Sequence, residues 1–327
     1  MFTTMIWGSG YEMGAVPISE TDYSRVYINS TAAYVKTGTY SLRVRSEGAG
    51  NAGLARYATG GATEIYVSTW VNAPGTIYTA LQAILGDGKI IEVRYNVSTH
   101  TWDVYVDGVE VDTGSIAIAN EQWHHLQVYF FSDDSGSIQT KIDGVSDVNY
   151  SGDTKPGTST SINYIRQYQG DTTLWYSSYW DNFAFGTGDW GGDVRFDVVY
   201  PDADDSVEWT PSAGDNYSTV DEIPPSDADY VSAGSPALTD VYTLSDWSGS
   251  SKAPKYVIPW ARAKKDVASS RALELLVSSG GSESSGGSFS ITTDYDYYYE
   301  IFDEDPSTES SWADTTIDAC KVGIRSY

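Results

Sequence analysis

Short runs in which apolar and polar residues alternate, each closed by a turn signal, constrain this 327-residue chain most tightly. In Trp102-Asp-Val-Tyr-Val-Asp-Gly108, Val104 and Val106 alternate with Tyr105 and Asp107, the period-two pattern of a strand with one face inward. Asp107-Gly108 then reads as a type I′ hairpin turn, because both residues accept positive φ. Within Glu121–Phe131, Leu126, Val128 and Phe130 alternate with Gln127, Tyr129 and Phe131, and Tyr179–Phe185 closes the set. Tyr40–Arg45, Glu64–Val71, Ile90–Tyr95 and Ile138–Ile142 carry the same alternation or β-branched enrichment, at the spacing of a sandwich.

The glycine-rich Gly186-Thr-Gly-Asp-Trp-Gly-Gly192 follows this set and precedes a new strand pattern, Val194–Tyr200. It predicts two domains, 1–188 and 189–327. In the second, Tyr256–Arg262 and Arg271–Val277 read as strands. Pro259 would break a helix, and Leu273, Leu275 and Val277 have period two. Ser278–Gly287, rich in Ser and Gly, reads as a flexible loop. Tyr295, Tyr297 and Tyr299 then form an aromatic row on one face of a strand.

Composition removes several function classes. A net charge of −26, with 19 acids and 10 bases before Gly188 and 26 and 9 after it, opposes contact with nucleic acid or an anionic membrane. Cys320 is the one cysteine, so neither an intrachain disulfide nor a zinc ribbon can be built. No apolar run is long enough to span a bilayer, and the opening residues lack the pattern of a signal peptide. Synthesis in a reducing bacterial cytoplasm is the expectation.

Taken in order, the Trp102–Gly108 strand and turn, the Trp123-His124-His125 strand and the Asp181-Asn182-Phe183 strand resemble the concanavalin A-like lectin/glucanase superfamily, in particular its laminin-G-like domains. The resemblance covers roughly Thr3 to Gly188. It implies an all-β chain with an N-terminal concanavalin A-like jelly-roll sandwich, followed by a second, smaller antiparallel β-sandwich domain. Asp193–Asp202, Glu208–Tyr217, Val220–Pro225, Trp260–Asp266 and Asp305–Trp312 resemble a module of tailed-phage virion proteins. That second resemblance implies a location, the virion, and no reaction.

Glucanases of the superfamily carry a Glu-x-Asp-x-x-Glu strand, since retaining hydrolysis needs two nearby carboxyl groups. Here Glu110 and Asp112 are followed by Ser115, and Glu20 and Asp22 by Arg25. No catalytic residue is therefore expected. His124 and His125 are adjacent in a strand and must point to opposite faces, which denies them a shared site. No zinc-ligand spacing is present, and no cofactor is expected beyond calcium as a candidate. Laminin-G-like domains often hold that ion, and the turn residues Asp87, Asp133, Asp134 and Asp181 could supply ligands, although solvated turn aspartates explain them better. Trp175, Tyr176 and Tyr179 with Asp171 and Asp181 could stack on a sugar and hold its hydroxyls. Trp180 and Phe183 read as core.

Together these readings lead to the expectation of a non-enzymatic virion structural protein of a tailed phage. It would be a capsid decoration or fibre, or a tail-associated fibre adhering to a host surface glycan. Other virion proteins would be its partners, and homo-oligomer formation or docking would run through Tyr295, Tyr297 and Tyr299. The alternative is a carbohydrate-active enzyme or a free carbohydrate-binding lectin.

Overall fold

The computed structural model describes residues 1–16, 23–46, 52–75, 78–170, 176–247 and 253–327. The chain falls into two compact units, Met1–Asp197 and Val198–Tyr327. Along the first unit run β1 (Thr4–Ser9), β2 (Tyr23–Ser24), β3 (Val26–Asn29), β4 (Ser41–Arg45) and β5 (Gly53–Ala62). They are followed by β6 (Glu64–Asn72), β7 (Thr79–Leu85), β8 (Ile90–Tyr95), β9 (Trp102–Val106) and β10 (Val109–Asp112). The last five are β11 (Trp123–Phe131), β12 (Gly136–Ile142), β13 (Val145–Gly152), β14 (Ile162–Gln169) and β15 (Ser177–Thr187).

These strands make two antiparallel sheets. The first has the order β13-β12-β11-β6-β15-β4-β3, with β1 also paired to β15, and the second has the order β10-β9-β8-β7-β14-β5-β2. Their apolar faces meet. Trp7 of β1 lies 4.3 Å, between ring centroids, from Tyr57 of β5, which in turn lies 5.0 Å from Phe183 of β15. Trp102, Trp180, Phe130 and Phe185 are also fully buried, each removing on the order of 150–250 Å² from water and giving the sandwich its main cohesion. The result is an all-β, multi-sheet sandwich of the lectin-like, jelly-roll kind. The expected hairpin is present, with Asp107 at φ 47° and Gly108 at φ 82°.

Where a strand was expected over Val194–Tyr200, no ladder forms, and β16 begins only at Pro201. The apolar positions of this stretch are used for packing instead. Val194 is buried, and a side chain on Gly8 or Gly10 would collide with Phe196. Trp190 sits edge-on to Tyr66 at 5.5 Å, and Trp70 Nε1 donates to Asp193 Oδ1 at 2.8 Å. Residues 189–197 thus cover the outer face of the first sheet.

In the second unit β16 (Pro201–Ser206), β17 (Thr210–Pro211), β18 (Val231–Ser232) and β19 (Thr239–Leu244) precede β20 (Trp260–Ala263), β21 (Ala272–Ser279), β22 (Ser282–Ser290), β23 (Asp296–Tyr299) and β24 (Lys321–Ser326). A five-stranded sheet, β16-β19-β24-β21-β22, is accompanied by the ribbons β17-β18 and β20-β23. The second ribbon packs Tyr298, Ala261 and Ala263 on Leu273 and Leu275, so the layer facing the sheet is a ribbon and not a second full sheet. The Ser278–Gly287 stretch is not a loop. Gly280 and Gly281 both take positive φ and turn β21 into β22 as a tight hairpin, and the serines form its exposed edge strand. Among the described residues no helix is long and apolar enough to cross a membrane.

Candidate functional site

Period-two alternation on the second sheet sends Leu81, Ile91, Val93, Val104 and Ile165 into the core. The residues between them face away from it. Strand register then lines up one of these from each of six neighbouring strands. Arg56 is opposite Arg166, Arg166 opposite Gln82, Gln82 opposite Glu92, Glu92 opposite Tyr105, and Tyr105 opposite Glu110. The row crosses β5, β14, β7, β8, β9 and β10 without a break.

Its members are joined by hydrogen bonds. Glu92 accepts from Tyr78 Oη at 2.6 Å, Gln82 Nε2 at 2.5 Å and Arg94 Nη2 at 2.5 Å. Gln82 Oε1 accepts from Arg166 Nε at 2.6 Å, and Tyr105 Oη donates to Glu110 at 2.7 Å. Arg94 is sandwiched between rings, 3.8 Å from the centroid of Tyr105 and 4.3 Å from that of Tyr78, a geometry in which guanidinium and ring quadrupole attract. Arg56 lies over Tyr164 at 4.4 Å and Arg166 over Tyr168 at 4.9 Å.

Charge is distributed unevenly along the row. Burial and the neighbouring Glu92 push the Tyr78 phenol well above its usual range, and burial with the bond to Glu110 pushes Tyr105 up to about 12. Both keep their protons at neutral pH. Glu92 is compensated by Arg94, whereas Arg166 bonds a neutral amide and pairs with no carboxylate among the described residues. Burial lowers the Arg166 pKa, and Arg56 opposite it adds to the effect.

The sequence singled out a different place. Asp171 and Trp175 lie outside the described residues. Tyr179 stacks on Tyr34 at 4.1 Å, and the Tyr176 carbonyl accepts from Ser46 N at 3.0 Å. Asp181 is fully buried. Its Oδ2 accepts from the amides of Lys36 at 2.9 Å and Thr37 at 3.1 Å, and its Oδ1 from Asn182 at 2.7 Å. It ties a loop to β15 and offers nothing to a sugar hydroxyl. Its register opposite Trp70 places it on the outer face of the first sheet, where the loop carrying Lys36 and Thr37 covers it. Trp180 and Phe183 are core, as read.

The other candidates are dispersed. Asp87 accepts from the amides of Lys89, Thr158 and Ser159, Asp133 from that of Ser135, and Asp134 pairs with Lys155 at 2.8 Å. Among the described residues no group of three His, Cys, Asp or Glu could hold a metal ion. His124 bonds Asp143 at 2.8 Å, while His125 turns the other way, 2.9 Å from Ser68 Oγ and stacked on Trp70 at 5.2 Å. Ser68 is fully buried and also bonds the Gly192 carbonyl, so the pair is packing and not a nucleophile with its base. Glu110, part of the nearest approach to the missing glucanase motif, is the end of the row, and Glu20 and Asp22 lie outside the described residues. In the second unit Tyr297 and Tyr299 belong to β23, with Tyr299 stacked on Trp260 at 4.5 Å, while Tyr295 precedes the strand and bonds the Asp227 carbonyl at 3.3 Å.

No protein-family model matches the chain, and no curated protein matches it in sequence. Solved structures of similar fold include an alginate lyase at 14% identity, covering 46% of this chain and 82% of that one with a TM-score of 0.38. An endo-β-1,4-glucuronan lyase from the fungus Trichoderma reesei has 12% identity, 57% and 92% coverage and a TM-score of 0.37. A protein of unknown function with a galectin-like fold from Bacillus subtilis has 8% identity, 57% and 97% coverage and a TM-score of 0.41. At such identities the likeness concerns fold, and no residue role passes from those proteins to this one.

The expectation of a non-enzymatic virion protein is corrected here. The similar structures are named as an alginate lyase, a glucuronan lyase and a protein of unknown function with a galectin-like fold. No family model supports the tailed-phage module expected after Gly188. Capsid or tail partners and the virion as location fall with it.

Proposed function

We propose that this chain is a carbohydrate-active enzyme whose first unit is a sandwich of the concanavalin A-like type, with a polysaccharide bound across the outer face of the second sheet. The observation that carries this is the register-matched row Arg56, Arg166, Gln82, Glu92, Tyr105 and Glu110. A sugar chain presents hydroxyls at its edges and apolar ring faces between them. A sheet face carrying amide, carboxylate and guanidinium groups beside tyrosine rings, with Gln82 and Glu92 buried among them, complements both. Interlocked hydrogen bonds hold these side chains in place before a ligand arrives, which lowers the entropic cost of binding.

Breaking a glycosidic bond requires a proton for the departing oxygen. Tyr78 is the donor this reading assigns, because its phenol stays protonated and Glu92 fixes its direction. The test is incubation of the intact chain with laminarin, alginate, polygalacturonate and chondroitin sulfate, following new reducing ends and unsaturated sugar ends. Cleavage of one of them is expected, with Tyr78→Phe lowering kcat/KM by about 10²- to 10⁴-fold and binding little changed. Binding without cleavage of any polymer would leave a lectin, and no binding at all would reject the face.

A further inference from the structure

Tyr78 and Tyr105 enclose Arg94, whose guanidinium lies 4.3 Å and 3.8 Å from their ring centroids. Each phenol donates to a carboxylate, Tyr78 to Glu92 at 2.6 Å and Tyr105 to Glu110 at 2.7 Å. The two pairs differ in their surroundings. Glu110 is exposed, whereas Glu92 is buried and also accepts from Arg94 Nη2 at 2.5 Å. A carboxylate withdrawn from water opposes a second negative charge beside it. Glu92 alone would therefore hold the proton on the Tyr78 oxygen and make the phenol a poor donor.

Arg94 is placed to cancel that hold. Glu92 is the carboxylate it pairs with among the described residues, because Asp103, its neighbour across the ladder on β9, is occupied by Thr101, Asn96 and the Gly114 amide. Arg94 Nε is buried and has no hydrogen-bond partner. That edge of the cation is dry, so its field reaches the adjoining ring through protein and not through water. Gln82 Nε2 also donates to the Tyr78 oxygen, at 3.1 Å, a bond that strengthens when the oxygen becomes negative.

We infer that Arg94 is a positioning residue for cleavage: it offsets Glu92 and stabilises the Tyr78 phenolate, so that Tyr78 can part with its proton. This rests on the reading of Tyr78 as the proton donor. In that step the Tyr78 O–H bond breaks, its proton forms a new O–H bond on the departing sugar oxygen, and the electron pair stays on the phenolate. Water reprotonates the phenolate afterwards. Arg94 itself transfers no proton.

The polymer that the intact chain cleaves, and an oligosaccharide of it with 4-nitrophenol as leaving group, separate this role from a structural one, because nitrophenolate departs without a proton. Arg94→Met should lower kcat on the polymer by about 10- to 100-fold with KM held within about twofold. The nitrophenyl substrate should lose no more than about threefold. Arg94→Lys keeps the charge and should fall between. Without Glu92 the offset is not needed, so Arg94→Met should cost no more than about threefold in a Glu92→Gln background. That double variant also avoids leaving a buried carboxylate unpaired. If Arg94→Met alone does not fold, Arg94→Lys and the double variant carry the comparison, with melting temperatures as the check on the fold. Equal losses on polymer and nitrophenyl substrate, or an undiminished cost in the Glu92→Gln background, overturn the inference while Tyr78 stands as donor. Cleavage that survives Tyr78→Phe, or no cleavage by the intact chain, overturns both.

Discussion

Asp181 has no exposed surface and three amides on its oxygens, and burial still lifts its carboxyl from 3.8 to about 7. A carboxyl raised in the folded state binds its proton more tightly there than in the unfolded chain. Its contribution to stability is therefore complete below about pH 3.8 and is lost as the pH climbs to about 7. Glu12, also raised by burial, acts in the same direction. The free energy of unfolding should fall between pH 4 and pH 7 by up to ~4 kcal/mol from Asp181. Asp181→Asn cannot titrate and should flatten most of that fall. Urea denaturation of both proteins at a series of pH values checks this, and equal slopes would refute it. The sequence marks Asp181 as a polar residue beside aromatics but not as buried, because the loop residues that cover it, Lys36 and Thr37, lie more than a hundred residues away in the chain.

The β9–β10 hairpin was legible because its determinants are local: alternation in Trp102–Val106 and two residues that accept positive φ. Gly108 has open space where a Cβ would stand, and its φ is 82°. Gly108→Ala should therefore cost about 1 kcal/mol through backbone strain alone, seen as a lowered urea midpoint with an unchanged m-value. A larger loss would mean that the turn has contacts beyond its own strands. Where a pattern needs a distant partner, the sequence was less informative. Val194–Tyr200 alternates as well as any strand but finds no ladder, and Ser278–Gly287 looks disordered yet pairs along β21. The row of six polar residues was missed for the same reason. Ile90–Tyr95 was recognised as a strand, and its outward Glu92 and Arg94 could be named from the alternation. Their neighbours Gln82 and Arg166 come from strands that no local rule places beside them.

The sequence reading puts the joint between two domains at Gly188, where glycines cluster. Residues 189–197 nonetheless lie on the first sheet through Trp190, Asp193 and Phe196. A fragment 1–197 should fold and melt cooperatively by itself, and a fragment 1–188, stripped of these contacts, should melt lower by about 5 °C or more. Scanning calorimetry of the two decides it, and equal melting temperatures would place the joint at Gly188 after all. The strand register has a consequence of another kind. Leu81 and Gln82 are neighbours on β7, one inside and one outside, and the same holds for Ile91 with Glu92, Val104 with Tyr105 and Ile165 with Arg166. A slip of one residue in any of these strands would carry a polar side chain inward and an apolar one out. The hydrophobic interior therefore acts as a proofreader for the outer row. Misaligned versions of the surface are rejected because they cannot fold, and every molecule that does fold presents the six side chains in the same order.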